Sequence, residues 1–517
     1  MRGPFGRVLR QTLEHLILRG SISVSHKFER AFDVVVVGGG GAGLAAAIEA
    51  SNEGATVALI EKNPILGGST GWSVGSFSAA GTEFQHQAGY FEDSPDLHFE
   101  DLAKFAGDLV QRDNLTLRRI LVNESPDTLR WLMAHGVVFM GPALEPPHRF
   151  PRMHNVVPGS KSFIYHLSRQ CRKLGVQILT STHVTSLVQH NDRVTGVMAE
   201  LGGGDACLFR AHRAVVLTTG DFSADPVLKQ RFATPVAAQA AAVNETNTGD
   251  GQHMGLSLKG RVVNGDIVHG PIMRFVPPAT PALPARLPPY TWLAKLAVWM
   301  MHHLPAVLTR PVLMKFITTA LGPDAGLFRA GAILVNRRGD RFSDELDKPA
   351  LALTHQPNGE GYIVLDAEMA RQFQKWPHFI STAPNVAHAY LDDYRSSRRD
   401  VFHEAASLEI LARLTGMEPN CLCAAAAQGG ANGQPLGEGP YVALGPVRSY
   451  MVLTEGGLAV SAQHEVLGQD DRPIAGLYAA GSAGQGGLLL FGHGHHLGWA
   501  FVSGRRAGRF AAGQRAS

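Results

Sequence analysis

The first strong hydrophobic signal in the chain is an apolar, β-branched run from Val34 to Val37, which predicts a parallel strand buried on both faces. Glycines follow at once, and the Ala/Leu/Ile pattern from Leu44 to Ala50 then predicts a helix. A second apolar run, from Thr56 to Ile60, predicts the next strand. Strand, glycine turn, helix and strand in this order are typical of the βαβ unit of an α/β fold.

A different pattern occupies residues 281–321, where short apolar runs are interrupted by Lys295, Arg310 and Lys315 and by histidines and prolines. No uninterrupted run reaches the ~18 apolar residues of a membrane span, so the segment predicts two short amphipathic helices. Two interpretations stay open. The helices form a hydrophobic lid or a membrane-surface patch that makes peripheral membrane contact, or they pack on the core of a second domain.

The glycine turn carries the first candidate chemistry. Gly38, Gly40 and Gly43 satisfy the spacing G-x-G-x-x-G between the predicted strand and helix. A dinucleotide pyrophosphate binds to backbone N–H groups at such a helix N-terminus, where a side chain would block its approach. Glu61 ends the second strand, twenty-three positions after Gly38, and is expected to accept hydrogen bonds from the ribose hydroxyls. A glycine-rich turn without a ligand is the alternative.

Composition limits the other possibilities. The 517 residues exceed what one core usually supports, which predicts two domains. A net charge of +3 without a dense Lys/Arg run argues against a nucleic-acid partner. The four cysteines form neither a zinc pattern nor a disulfide framework, so we predict no metal site and a reducing, cytoplasmic compartment. Residues 1–30 are basic, lack a signal-peptide core and are predicted to be a disordered or surface-lying extension.

The segment EKNPILGGSTGWSVGSFSAAG after the second strand resembles the FAD-dependent oxidoreductase 2 superfamily, which contains the fumarate reductase and succinate dehydrogenase flavoproteins and the 3-ketosteroid dehydrogenases. The resemblance implies that this segment wraps the FAD. Members with covalent flavin carry a histidine here, and none occurs between Glu61 and Gly81. The cofactor is therefore expected to be non-covalent FAD, held in this segment by Lys62, Gly68, Ser69 and Thr70.

Further matches to the superfamily cover most of the chain. Val176 to Leu179 and His183 to Val188 are predicted strands of the FAD domain, and TTGDFSADP, NTGDGQHMG and PIAGLYAAGSAGQGG match later turns. The last segment, HGHHLGWAFVSGRRAGRFAA, matches the helix whose N-terminus faces the flavin pyrimidine ring, where donors stabilise the negative charge of the reduced ring. These matches add six expected FAD contacts: Val184, Gly220, Ala480, Gly481, Leu497 and Gly498.

The implied fold is α/β, a two-dinucleotide-binding Rossmann-type FAD domain with an inserted α+β capping domain. We place the FAD domain at residues 31–265 and 446–517 and the cap at 266–445. GAILVNRRGDRFSDE, in the cap, resembles the segment that returns to the active site, but Pro349 occupies the position of the proton-donating arginine of fumarate reductases. Lys348 is the nearest proton carrier. A carboxylate-holding histidine is also missing from VLTEGG, and Phe491 aligns with an arginine.

Because the arginine and histidine side chains of these positions are missing, a small dianion is an unsuitable substrate. GPYVALGPVRSY resembles the ketosteroid dehydrogenase stretch in which a tyrosine hydroxyl and a glycine N–H polarise a ketone, which assigns these roles to Tyr441 and Gly445. His269, with Arg274, is a further candidate for substrate contact. One of His493, His495 and His496 is expected to face flavin or substrate and the others to bind backbone.

The predicted function is FAD-dependent formation of a carbon–carbon double bond next to the carbonyl of a small apolar ketone, steroid-like or alicyclic. The electrons then leave to an external acceptor such as a quinone, another flavoprotein or oxygen. A fumarate-reductase-like enzyme that reduces an unsaturated acid, held by Arg274 or Arg448, is one alternative. A flavin-binding electron-transfer component without its own substrate is another. Packing of Tyr441 against neighbouring prolines is the structural alternative to its catalytic role.

Overall fold

The structure is a computed structural model that describes residues 28–278, 287–305, 309–310, 314–315, 318–319, 321–383 and 387–514. The predicted N-terminal extension falls outside these ranges except for residues 28–30, which begin the first strand. Of the two helices predicted in 281–321, the first is present at Thr291–His303, and the second falls partly outside the described residues.

The strands of the described residues are, in chain order, β1 (Phe28–Val37), β2 (Val57–Ile60), β3 (Ser76–Ser78), β4 (Val138–Ala143), β5 (Met153–Val157), β6 (Gln177–Leu179), β7 (Thr182–His190), β8 (Arg193–Leu201), β9 (Ala206–Leu217), β10 (Ala241–Ala242), β11 (Val262–Val263), β12 (Val268–His269), β13 (Ile272–Phe275), β14 (Ile333–Asn336), β15 (Glu360–Leu365), β16 (Ser381–Ala383), β17 (Ala387–Ala389), β18 (Phe402–Ala405), β19 (Tyr441–Met451), β20 (Leu453–Thr454), β21 (Gly457–Leu458), β22 (Glu465–Leu467) and β23 (Pro473–Ala479).

The helices are α1 (Gly41–Asn52), α2 (Gly68–Trp72), α3 (Glu83–Gln87), α4 (Pro95–Ala106), α5 (Leu115–Ala134), α6 (Lys161–Lys173), α7 (Pro226–Phe232), α8 (Pro235–Gln239), α9 (Asp250–Ser257), α10 (Thr291–His303), α11 (Gly326–Arg329), α12 (Pro349–Leu353), α13 (Ala367–Gln372), α14 (Leu391–Ser397), α15 (Leu408–Thr415), α16 (Pro419–Gln428) and α17 (His495–Gly513). None of the described helices is long and apolar enough to cross a lipid bilayer.

The larger sheet has eight strands, with the path β22-β23-β9-β1-β2-β6 and the antiparallel pair β7-β8 attached through β9. β1 lies between β2 and β9 and is parallel to both, so the run Val34 to Val36 is fully buried, as its apolar pattern predicts. The carboxyl ends of β1, β2, β9 and β23 meet at one edge, which is where ligands bind in doubly wound sheets. The α/β fold with a parallel sheet is thereby confirmed.

The second sheet has six strands and is built around β19, which pairs with β10, β13, β15 and β18. The domain boundary predicted at 445 falls inside β19, and β10 joins this sheet from residues 241–242, ahead of the boundary predicted at 265. The second sheet therefore takes strands from both sides of each predicted domain boundary. The predicted assignment of residues to two domains stays a prediction.

Helices α1 and α17 pack closely beside the larger sheet because small residues line their contact. A Cβ atom on Gly504 would lie 2.3 Å from the Ala42 carbonyl oxygen, and one on Gly508 would lie 2.3 Å from that of Ala46. Helices α1 and α17, which lie far apart in the sequence, are therefore packed side by side.

Candidate functional site

The turn after β1 brings backbone so close together that only glycine fits. Gly38 has φ +107°, and a Cβ atom there would lie 2.5 Å from the Thr218 carbonyl oxygen. A Cβ atom on Gly43 would lie 1.9 Å from the Gly38 carbonyl oxygen. These contacts hold the N-terminus of α1 against the end of β1.

In front of this turn, two glycine loops join through a hydrogen bond from Gly67 N–H to the Gly39 carbonyl at 3.0 Å and leave an open gap beside Gly40 and Gly68. A Cβ atom on Gly40 would have nothing nearer than the Gly67 carbonyl oxygen at 3.8 Å, and one on Gly68 nothing nearer than Gly40 at 3.8 Å. The N-terminus of α1 carries no side-chain cap from its own N-cap residue, although Gly41 N–H donates to Thr70 Oγ1 at 3.1 Å. A gap bordered by unfilled backbone donors at a helix N-terminus fits a pyrophosphate.

Glu61 and Lys62 follow β2 at the same edge. The buried Glu61 carboxylate accepts hydrogen bonds from Gly39 N–H at 2.7 Å and Asn63 N–H at 2.8 Å. Lys62 Nζ forms an ion pair with Asp250 Oδ2 at 2.9 Å. These contacts fix both side chains beside the glycine turn, and their predicted roles in holding FAD stay predictions.

Polar side chains tie the later turns to the same loop. Ser69 Oγ accepts hydrogen bonds from the side-chain amides of Asn244 and Asn247, each at 2.9 Å. Gly220 has φ +83° and lies against Asn247, whereas Val184 is buried in β7. The NTGDG segment thus contacts both the Ser69 loop and the TTGDF segment through the Asn247 side chain.

The turn after β23, at Ala480 and Gly481, packs against the N-terminal glycine region. Ala480 N–H donates to the Leu217 carbonyl at 2.9 Å, and Gly481, with φ +62°, donates its N–H to Ser503 Oγ at 2.8 Å. A Cβ atom on Gly481 would lie 3.0 Å from Ala42 Cβ in α1. This turn therefore contacts the first turn of α1, next to the first glycine loop.

The N-terminus of α17 offers a second set of donors. Its N-cap residue, Gly494, has φ +87° and provides no side-chain cap. Gly498 N–H donates to the Gly494 carbonyl at 2.9 Å, so the amides up to Leu497 precede the first helical hydrogen bond. Such an end stabilises negative charge, which fits the pyrimidine ring of a flavin. Together with the gap at Gly40 and Gly68, this arrangement fits FAD.

Beside this helix end lies a buried carboxylate, Glu455. It accepts hydrogen bonds from His269 Nε2 at 2.6 Å, from Leu490 N–H at 3.2 Å and from the Gln485 amide. His496 Nε2 lies 3.3 Å from Glu455 Oε1 but without hydrogen-bond geometry. Burial alone would raise the pKa of Glu455, but the neighbouring His496 and His269 imidazoles hold it well below its ordinary value.

An ionised carboxylate only accepts hydrogen bonds, so the pairing determines the state of the His269 ring. Nε2 carries the hydrogen that is donated to Glu455, which leaves Nδ1 as the ring nitrogen that the carboxylate does not engage. The Phe491 ring lies 5.0 Å from the His269 ring, centroid to centroid. A carboxylate-oriented imidazole next to an apolar wall is suited to proton transfer at a carbon atom of an apolar substrate.

His495, at the start of α17, belongs to a cluster of three buried histidines together with His98 and His148. The centroids of their rings are 5.3 to 5.4 Å apart. Burial lowers the pKa of His495 to about 4 and of His148 to about 2, and it lowers that of His98 well below its ordinary value. All three rings are therefore neutral at pH 7. His495 Nδ1 donates to the Phe491 carbonyl at 2.7 Å, and His98 Nε2 lies 3.2 Å from His495 Nε2.

A fully buried arginine, Arg152, supports this cluster. It donates to both oxygens of Asp93, to Asp101 at 2.7 Å and to His148 at 2.8 Å. Replacing Arg152 by Met should lower the free energy of unfolding by about 3 to 5 kcal/mol, because the buried Asp93 loses the cation that pairs with it and Asp101 loses one of its three cations. Urea denaturation measures this, and Arg149→Met is the matched control, since Arg149 also contacts Asp101 but is 38% exposed. Equal losses in both variants would contradict the assignment.

The three C-terminal histidines predicted from the sequence have different partners. His493 pairs with the Glu145 carboxylate, His495 donates to backbone as expected, and His496 faces Glu455. Ligand-type nitrogen and oxygen atoms also lie within 4.8 Å of one another in two groups of three, His98–His148–His495 and His269–Glu455–His496. The predicted absence of a metal stays untested.

The donors of Tyr441 and Gly445 have hydrogen-bond partners within the chain. The Tyr441 hydroxyl donates to the Gly437 carbonyl at 2.9 Å, and Gly445 N–H donates to the Val401 carbonyl at 2.9 Å. Both donors are thus paired with backbone carbonyls, and their predicted roles in polarising a ketone stay predictions. Lys348 is exposed at the start of α12, which packs on β13, and its predicted role as proton carrier stays a prediction.

The two arginines of the unsaturated-acid alternative differ in their surroundings. Arg448 donates to Glu360 at 2.8 Å, so its charge is already balanced. Arg274 lies opposite Arg448 in the cap sheet, and its buried Nε has no hydrogen-bond partner among the described residues. Burial lowers the pKa of Arg274. Only Arg274 therefore remains a candidate for a carboxylate contact.

The glycine cradle on a parallel sheet and the open helix ends define a flavoprotein of the dinucleotide-binding type. Residues 33–489 match the family model described as FAD binding domain, and the chain belongs to this family. The predicted superfamily, the FAD cofactor and the class of FAD-dependent oxidoreductase are thereby confirmed.

Among curated relatives, the chain is 27% identical over 474 residues to an NADH:fumarate oxidoreductase of Klebsiella pneumoniae, covering 87% of this chain and 44% of that protein. It is 26% identical over 522 residues to a vinyl phenol reductase of Lactiplantibacillus plantarum, covering 93% and 96%. The chain thus spans less than half of the first relative and nearly all of the second.

Solved structures give the same fold. An open flavocytochrome c3 fumarate reductase superposes with a TM-score of 0.70 at 24% identity, covering 97% of this chain and 80% of that one. A 3-ketosteroid-Δ4-(5α)-dehydrogenase of Rhodococcus jostii RHA1 superposes with a TM-score of 0.59 at 24% identity, covering 96% and 99%. At this identity the likeness establishes the fold alone.

Sequence reasoning missed Glu455, the centre of the candidate substrate site. In the motif VLTEGG, the prediction considered only the missing histidine. The available signal was the acidic residue of the same motif, Glu455, which directly precedes two glycines. His98, His148 and Arg152 were also missed, because their residue types are common and their partners lie far apart in the sequence.

Proposed function

We propose that this chain reduces the carbon–carbon double bond of an uncharged or singly charged conjugated alkene, with electrons from an external redox partner. The observation that carries the proposal is the Glu455–His269 pair beside the open end of α17. FAD, when bound, supplies the two-electron hydride chemistry. The reaction adds one hydride equivalent and one proton across the double bond, so the protein must deliver a proton to the second carbon.

His269 is the proposed proton carrier. Its Nε2–H is held by the ionised Glu455, which fixes the ring orientation and leaves Nδ1 to transfer the proton. This role replaces that of the arginine whose position Pro349 occupies. Glu455 orients the His269 ring, and the N-terminus of α17 is proposed to stabilise the negative charge of the reduced flavin.

The surroundings favour a substrate that is not a dianion. No histidine occurs in VLTEGG, Phe491 occupies the position of an arginine, and a buried anion, Glu455, lies at the centre. A dicarboxylate would need two counter-charges once water is excluded. The Phe491 ring beside His269 instead supports a ring-bearing or otherwise apolar alkene. Similarity to a vinyl phenol reductase over 96% of its length supports the same class.

The test uses the holoenzyme with photoreduced flavin under anaerobic conditions. Flavin absorbance is followed after addition of 4-vinylphenol, acrylate, fumarate or a cyclic enone. We expect the uncharged conjugated alkenes to reoxidise the flavin about tenfold or more faster than fumarate, since one unbalanced buried charge costs more than about 1.4 kcal/mol. Faster reoxidation by fumarate would overturn the proposal. Bleaching of oxidised flavin by saturated ketones, without reoxidation by any alkene, would favour the dehydrogenase hypothesis instead.

A further inference from the structure

Helix α10 exposes a row of large apolar side chains. Trp292, Leu296, Trp299 and Met300 occupy spacings of four, seven and eight residues on one face of the helix, and Trp292 is 66% exposed. Tyr290 and Leu304, at either end, are also exposed. A contiguous apolar face of this kind on a globular protein indicates an interaction surface.

Positively charged side chains lie on α10 and on the neighbouring α6. Neither α10 nor the neighbouring α6 contains an acidic residue, and residues 281–321 contain none at all. Helix α6 exposes Lys161, Arg169, Arg172 and Lys173, and α10 adds Lys295. None of these five cations forms an ion pair with an acidic residue in the described ranges. We refer to the exposed residues of these two helices as the α6–α10 surface.

A cleft of about 530 Å³ lies between the two helices. The rings of Tyr165 and Tyr290 form its wall, 5.8 Å apart, and Arg169 and Lys295 supply positive charge. The cleft is firmly built, because Thr291 Oγ1 donates to the Gly136 carbonyl at 2.8 Å and holds the start of α10 against the FAD-binding part of the chain. Aromatic walls with two cations fit an anionic headgroup bearing a phosphate.

We propose that the α6–α10 surface docks on an anionic lipid membrane. The tryptophans and aliphatic side chains of α10 enter the interface, the cations of α6 meet the lipid phosphates, and the cleft receives one headgroup. A second copy of the chain is a poorer occupant, because a symmetric contact would bring these like charges together. This surface is independent of the reaction proposed above.

Vesicle cosedimentation of the FAD-loaded full chain tests the proposal, with vesicles of neutral phosphatidylcholine and vesicles containing 30% phosphatidylglycerol. We expect binding to the anionic vesicles only, weakened by salt. The double variant Trp292→Ser/Trp299→Ser and the double variant Arg169→Glu/Lys295→Glu should each reduce partitioning about tenfold or more. Trp376→Ser, in the other part of the molecule, is the matched control, because Trp376 is 63% exposed.

FAD content and the flavin spectrum are measured for each variant to confirm folding. Undiminished binding of either double variant, equal binding to neutral vesicles, or an equal loss in Trp376→Ser would overturn the proposal. A concentration-dependent dimer that the tryptophan substitutions dissociate, without vesicle binding, would assign the surface to a second copy and also overturn it.

Discussion

Gly43→Ala will produce a chain that no longer retains FAD. The added methyl group would lie 1.9 Å from the Gly38 carbonyl oxygen and 2.7 Å from Thr218 Oγ1. The overlap can be relieved only if the start of α1 moves away from β1. The backbone N–H groups that bind the pyrophosphate would then be displaced. The ratio of flavin to protein after gel filtration measures the effect, which we expect to be a loss of about tenfold or more in bound FAD.

Gly159→Ala is the matched control, because a Cβ atom there has no neighbour within 4 Å. It should retain the flavin content of the unaltered chain. Circular dichroism separates loss of cofactor from loss of the fold in Gly43→Ala. A Gly43→Ala chain that keeps stoichiometric FAD would mean that the cradle is not where the glycine turn places it.

His269→Gln is expected to lower turnover of the preferred alkene by about 10²- to 10⁴-fold, the range typical of a lost general acid or base. Glutamine can still hydrogen-bond Glu455 but cannot transfer a proton. FAD content and the dissociation constant of the substrate should change little, so the loss should appear in kcat rather than KM. Stopped-flow reoxidation of the reduced flavin measures the step directly.

His253→Gln provides the comparison, since His253 likewise pairs with a carboxylate, but with Asp225 rather than Glu455. It should keep full turnover. The variant Glu455→Gln tests the positioning role: it should lose activity and also alter the pH profile, which a purely structural change would not do. Full turnover in His269→Gln would remove this residue from the mechanism while leaving the FAD assignment intact.

The FAD-binding half could be predicted from sequence because its signals are local. The strand, the glycine turn and Glu61 lie within about thirty residues, and each has a physical reason that does not depend on the rest of the chain. The structure accordingly places the strand at Phe28–Val37 and the helix at Gly41–Asn52, around the predicted glycines.

The substrate side could not be predicted in the same way. Glu455, His269 and His496 come from three separate segments, and only the fold brings them within hydrogen-bonding range. The role predicted for Tyr441 rests on a local match of the same kind. Its spacing from Gly445 follows a family pattern, whereas in the structure its hydroxyl donates to the Gly437 carbonyl and the Gly445 N–H donates to the Val401 carbonyl. Local spacing predicts a site only when the partners are local as well.

The side-by-side packing of α1 and α17 has a consequence for the order of biosynthesis. The first glycine loop is translated more than four hundred residues before Gly504 and Gly508, which pack against Ala42 and Ala46. Until α17 has been made, the nascent βαβ unit lacks the helix that packs on it. Stable retention of the flavin is therefore expected only after α17 has left the ribosome.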